Sequence, residues 1–201
     1  MQIKIVKDNE IFKATLNDLN KEYGDDIYNA ERINKEYTAL VENSYTMCGF
    51  YVDNALIGHI FCRKPDESGC ASLASVFINE NMRGKGYGKE MFKLFEEYAK
   101  SVGIKRIVLG ARRYKEGFYY SCGLTGNGLL QANCNDMSKE NLEKILTENN
   151  IPYKEYVFRN EKMHQFYFDA NYILQNRSIY EVIDKFDDKV NILVAFSKNL
   201  D

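Results

Sequence analysis

The chain lacks tryptophan altogether, and none of its five cysteines (Cys48, Cys62, Cys70, Cys122, Cys134) stands in a CxxC pair. It also lacks a basic stripe, its net charge being -2, which points away from nucleic acid as a partner. An odd, unpaired cysteine set with no signal-peptide pattern ahead of it fits a reducing cytoplasmic setting better than a disulfide framework. No apolar run approaches the roughly 20 residues that span a bilayer, so no membrane segment is expected. The two histidines, His59 and His164, have no partners at metal-ligand spacing, and no metal is expected. Internal repeats and low-complexity tracts are absent as well. What is abundant is tyrosine, with 15 residues, so no single tyrosine is functional on its type alone. At 201 residues, 45% hydrophobic and 28% charged, the chain can bury one substantial core, or one domain plus a small appendage.

Pattern along the chain orders the elements. Gln2 to Lys7 alternates like a strand with Ile3 and Ile5 facing inward, and Glu10 to Tyr23 has helical spacing behind Asp8 and Asn9 as cap types. Gly24 ends that helix, and a second is expected over Glu31 to Ser44. Cys48 to Val52 and Leu56 to Arg63 form a hairpin about Asp53-Asn54, followed by a strand over Ala71 to Asn79. A glycine loop then opens into a helix whose apolar stripe is Tyr87, Met91, Leu94, Phe95 and Tyr98. Lys105 to Ala111 reads as a strand and Tyr114 to Cys122 as a short helix closed by Gly123.

After Gly128 the order is strand (Leu129 to Cys134), helix (Ser138 to Asn149), two strands (Tyr153 to Phe158, Met163 to Ala170), helix (Ser178 to Phe186) and strand (Val190 to Phe196). That is βαββαβ, the ferredoxin-like order. The expected class is α+β: a mixed, largely antiparallel sheet flanked by helices over residues 1–134, and a small C-terminal α+β domain over 135–201. The strand at 129–134 fits either sheet.

Arg83-Gly84-Lys85-Gly86-Tyr87-Gly88 joins a strand to a helix. The first N–H groups of that helix lack intrahelical partners and carry the positive end of its dipole, so the junction suits a phosphate. A Walker loop needs GxxxxGK[ST], but Glu90 follows Gly88-Lys89 and residue 83 is Arg. A dinucleotide fingerprint needs GxGxxG and a carboxylate ending the next strand, and neither is present. Arg83-x-x-Gly86-x-Gly88, however, resembles the [QR]xxGx[GA] element with which GNAT acetyltransferases hold the pyrophosphate of coenzyme A. "VFINENMRGKGYGKEMF" is similar to that family's fourth strand, turn and third helix. "GFYYSCGL" (Gly117 to Leu124) resembles its FYxxxGF element, with Leu124 in place of the aromatic. The resemblance runs from about the N-terminus to Cys134.

That resemblance implies an acetyl-CoA-dependent N-acetyltransferase acting on a primary amine of an unidentified acceptor. It implies that Val76, Phe77 and Ile78 bond the pantetheine arm and thioester through their backbone. Arg83, Gly84, Lys85, Gly86, Tyr87 and Gly88 would then take the diphosphate, with charge from Lys89. Tyr119 falls where the family's tyrosine protonates the coenzyme A sulfur. Lys115 and Arg112 depart from the family's small residue and Asn at the middle of the cofactor. The base is open between Glu80, the nearest carboxylate past the strand, and a water relay through Ser72 and Ser75. By the same resemblance Asp25, Asp26 and Tyr28 stand in the acceptor wall, where they would suit a cationic amine. The aromatic run "HQFYFDANY" (His164 to Tyr172) either covers the acceptor, makes a homodimer contact or fills its own core. The competing function is a non-catalytic acyl-CoA sensor acting through its C-terminal domain.

Overall fold

Asp8 sets where the first helix begins: its Oδ1 accepts hydrogen bonds from the backbone N–H groups of Glu10 and Ile11, both at 2.9 Å. A computed structural model of the protein describes residues 1–23 and 30–200. It divides into two compact units, Met1–Leu109 with Lys198–Asp201, and Gly110–Ser197. The expected helix end at Gly24 lies outside the described residues.

The first unit holds β1 (Gln2–Ile5), α1 (Asn9–Tyr23), α2 (Ala30–Val41), β2 (Tyr45–Val52), β3 (Ala55–Arg63), β4 (Cys70–Ile78), α3 (Tyr87–Ser101) and the start of β5 (Arg106–Ala111). Its strands lie in the order β1-β2-β3-β4-β5. The first four are antiparallel neighbours, and β5 runs parallel to β4. The β2–β3 turn is Asp53-Asn54, with φ 49° and 64°, the left-handed pair that a two-residue hairpin requires and that Asp and Asn tolerate best after glycine. One hydrophobic cluster joins Phe12, Leu16 and Leu19 of α1 to Leu40 of α2 and to Met47, Phe61 and Phe77 of the sheet. Phe12 is fully buried, a state that stabilises the fold by about 1.5–3 kcal/mol.

Two local expectations change here. Ile5 is 41% exposed, while Val6, beyond the strand, is buried. β1 is an edge strand, so Ile5, opposite the buried Cys48, lies at the margin of the sheet. The buried face of α3 is Met91, Phe92, Phe95 and Ala99 rather than the stripe through Leu94 and Tyr98. Ala99 carries little hydrophobic weight in a sequence pattern, yet its small side chain is fully buried.

The second unit contains α4 (Glu116–Ser121), β6 (Thr125–Asn133), α5 (Lys139–Glu148), β7 (Tyr153–Arg159), β8 (Met163–Asp169), α6 (Ala170–Gln175), α7 (Ile179–Asp184) and most of β9 (Val190–Asn199). Its strands run β9-β6-β8-β7, with every recorded pairing among them antiparallel. Ser138 caps α5 by accepting the Asn141 N–H. β6 starts at Thr125, earlier than the pattern indicates, because Gly126 and Gly128 hide it. A Cβ at Gly128 would overlap the Phe168 ring, so this strand needs glycine for close packing. The single expected helix over Ser178 to Phe186 is preceded by another, α6. Asp169 starts it by accepting the Asn171 N–H at 2.9 Å, at the place where the strand alternation ends.

Candidate active site

The turn after β4 is tied down on both sides. Asn79 donates from its backbone N–H to the Ile57 carbonyl at 2.8 Å and from Nδ2 to the Leu56 carbonyl at 3.0 Å. Glu80–Met82 make one 3-10 turn. Arg83 then folds back: its Nε donates to the Ile78 carbonyl at 2.9 Å and its guanidinium lies 5.6 Å from the Phe77 ring centroid. The arginine of the loop thus braces the end of β4 as well as charging it.

Past Arg83 the backbone opens. Gly84 and Gly86 have φ of 72° and 85°, and a Cβ built on either meets no atom within 4 Å. Gly86 is the N-cap of α3, with no side chain capping the helix. Its carbonyl accepts from Lys89 and Glu90, whereas the N–H groups of residues 84–88 find no acceptor among the described residues. Successive N–H groups at left-handed glycines before a helix form a concave anion site, strengthened by the helix dipole. Lys85 and Lys89 are exposed beside it. The donor row and the clear space above both glycines fit a diphosphate.

β4 leads into this turn with one edge free of a ladder. Val76, Phe77 and Ile78 pair with Ile60, His59 and Gly58 of β3. On the other side β4 pairs with β5 only from Cys70 to Ser72, against Arg106 to Val108. Beyond Ser72 that edge has no strand partner among the described residues, which leaves main-chain groups for an extended ligand. Glu80 is exposed in the 3-10 turn.

On the α1 side of the same strands a cleft of about 160 Å³ is lined by Ile11, Thr15, Asp18, His59, Phe77 and Asn79, among others. His59 is 1% exposed, stacks on Phe77 at 5.3 Å and shares a 3.0 Å hydrogen bond between Nε2 and Ser75 Oγ. Burial pushes its imidazolium down to about 3, so it is neutral at pH 7. An unfolded histidine titrates near 6.5, so the unfolded chain takes up a proton that the native chain refuses between those values. Stability is therefore full above about pH 6.5 and falls below it, by up to about 1.4 kcal/mol per pH unit. Urea unfolding at pH 7 and pH 5 should show a loss of about 1–2 kcal/mol that is absent in His59→Gln. An equal loss in both proteins would assign the effect to other groups.

In the second unit Tyr119 lies on α4, 8% exposed, its ring 5.1 Å from Phe118 and 5.3 Å from Phe196. Cys122 is a half-buried cysteine at the helix end, and His164 shares a 2.8 Å hydrogen bond with the Tyr156 hydroxyl. Among the described residues no cluster of three or more His, Cys, Asp or Glu is arranged to hold a metal. No described helix is long and apolar enough to cross a membrane. Asp25, Asp26 and Tyr28 lie outside the described residues.

A model of the acetyltransferase (GNAT) family matches residues 10–124, more than half of the chain. The protein belongs to the GNAT family. The matched span holds both the glycine loop and Tyr119. Among solved structures, an N-acetyltransferase from Staphylococcus aureus Mu50 aligns with a TM-score of 0.58 at 13% identity, covering 100% of this chain and 98% of that one. A spermidine N-acetyltransferase chimera of Vibrio cholerae aligns at 0.54 and 13% identity, covering 87% and 99%. A ribosomal-protein-alanine N-acetyltransferase from Brucella melitensis aligns at 0.53 and 16% identity, covering 66% and 89%. At these identities the likeness is one of fold. No curated protein matches the sequence.

The GNAT fold also contains a charged cluster that no local pattern announces. Glu116, the first residue of α4, is 1% exposed, and its Oε1 accepts from Arg177 Nη1 and the Tyr180 hydroxyl, both at 2.8 Å, and from the Tyr114 N–H at 3.2 Å. Burial alone would raise this carboxyl, but the Arg177 bond, the backbone and the Tyr180 hydroxyl together hold it below the ordinary glutamate range. The Tyr180 phenol is pushed up to about 12 by burial and by its bond to the carboxylate. The partners lie 61 and 64 residues from Glu116 in sequence, which is why spacing could not reveal them.

Proposed function

We propose that the protein is an N-acetyltransferase moving an acetyl group from acetyl-CoA to a primary amine. One observation carries this reading: the run of backbone N–H groups at residues 84–88, opened by two left-handed glycines at the head of α3, in a chain of the GNAT family. The diphosphate of acetyl-CoA accepts from those groups, and Lys85 and Lys89 add charge. The free edge of β4 at Val76, Phe77 and Ile78 bonds the pantetheine arm and holds the thioester. Structures of the same fold bear the names of enzymes acetylating spermidine and a ribosomal-protein alanine, which supports an amine as acceptor.

Attack by the amine nitrogen on the thioester carbonyl forms the C–N bond and breaks the C–S bond. Backbone N–H groups of β4 serve the charge that develops on the carbonyl oxygen. The coenzyme A sulfur leaves with a proton from the Tyr119 hydroxyl, a phenol being able to act as a general acid toward a departing thiolate. The amine must arrive neutral, since a lysine-like ammonium titrates near 10.4, and the exposed carboxylate of Glu80 is our candidate to take its proton through water.

Calorimetry with acetyl-CoA, followed by a turnover assay on a panel of primary amines, tests the reading. Micromolar binding and release of free thiol with one amine class are expected. A folded protein that binds no acetyl-CoA overturns it. Binding without turnover across the panel would favour an acyl-CoA sensor.

A further inference from the structure

We propose that Glu116, clamped by Arg177 and Tyr180, is a positioning residue that orients α4 and with it Tyr119, three residues further along the same helix. This rests on the proposed acetyl transfer for its catalytic consequence. The clamp itself is geometry within the second unit.

α4 has six residues, under two turns, and Lys115 at its start supplies no side-chain cap. So short a helix is not held by its own hydrogen bonds, so packing and side-chain contacts set its direction. Glu116 provides three of them at one oxygen. Arg177 sits in the link between α6 and α7 and Tyr180 lies on α7, so both partners come from the part of the chain beyond the family match. A second pair brackets the first. Arg113 makes a two-pronged contact to Asp184 at 3.0 and 2.6 Å, and its guanidinium lies 4.5 Å from the Tyr180 ring centroid. Tyr114 has φ 66°, and its ring lies edge-on to Tyr180.

The other carboxylate oxygen decides the matter. Glu116 Oε2 is buried and has no hydrogen-bond partner among the described residues. A half-satisfied buried charge is a poor way to stabilise a core, and apolar side chains of similar volume in place of both Glu116 and Arg177 would serve stability as well or better. What the carboxylate adds is direction: charge-assisted bonds to Arg177 and Tyr180 admit a narrow range of helix orientations, where apolar packing tolerates sliding. The C-terminal residues thereby act on the helix that carries the proposed acid. Displacement by about 1 Å is enough to cost about 100-fold in rate at a reacting group.

Hydrogen exchange and kinetics on the full chain test this with Arg177→Ala, Arg177→Lys and Tyr180→Phe, the last removing a single hydroxyl. Arg177→Ala should raise amide exchange in residues 118–122 by about tenfold or more while β6 and α5 stay protected. It should lower kcat by about 10- to 100-fold with the KM for acetyl-CoA changed less than about threefold, and Arg177→Lys should recover part of the loss. Unchanged exchange in α4, or a rise spread evenly over the second unit, overturns the inference. So does unchanged kcat in an active protein. A wild type that fails to bind acetyl-CoA would instead remove the acetyltransferase reading, and the exchange data would still decide whether the clamp holds α4.

Discussion

Arg83→Glu combined with Gly86→Glu is expected to weaken acetyl-CoA binding by at least about 100-fold, or about 2.7 kcal/mol, while the chain stays folded. Two terms make the binding loss large. Hydrogen bonds to a charged group contribute about 1.5–3 kcal/mol each, and a side chain at position 86 projects into the space above the N–H row. Two carboxylates there also oppose the diphosphate and the favourable dipole of α3. The cost to the fold is smaller. A left-handed residue other than glycine costs about 1–2 kcal/mol, and losing the Arg83 bond to the Ile78 carbonyl costs about 1 kcal/mol. No packing term is added, because a Cβ at Gly86 meets no protein atom. About 2–3 kcal/mol leaves a domain of ordinary stability, about 5–15 kcal/mol, folded. Calorimetry beside a circular-dichroism melt measures both sides. A folded double variant that binds acetyl-CoA like the wild type would place the diphosphate elsewhere.

Tyr119→Phe is expected to lower kcat by about 100-fold or more and leave the acetyl-CoA dissociation constant unchanged. The ring is buried against Phe118 and Phe196, and phenylalanine keeps those contacts, so only the hydroxyl is lost. Stopped-flow measurement of free thiol beside calorimetry with acetyl-CoA reads both quantities. Full activity in the variant would remove Tyr119 from the chemistry. A loss of binding in step with kcat would make it a packing residue.

Much of the local structure was legible along the chain. The Asp53-Asn54 turn, the caps at Asp8 and Ser138, and the strand–glycine–helix junction at residues 83–88 each depend on residues within a few positions of one another. Backbone conformation and orphan N–H groups are settled at that range, so composition and spacing suffice. Asp169 is the instructive exception: it too is a local cap, but the alternation of Met163 to Ala170 carries the strand pattern over it.

Burial was settled elsewhere. Ile5 and Ala99 exchanged their expected importance because edge position and the rotation of α3 on the sheet are set by neighbours far along the chain. The ladder between β4 and β5 stops after Ser72 through register, which no single strand encodes. His59 becomes a neutral core histidine through Phe77 and through Ser75, 16 residues away, and Glu116 becomes a buried carboxylate through partners 61 and 64 residues away. The sequence by itself determined the phosphate-suited loop and the order of most elements, because these follow from short-range backbone geometry and motif spacing. Only the tertiary structure decided which side chains lose water and which charges meet, because desolvation and ion pairing act through space rather than along the chain.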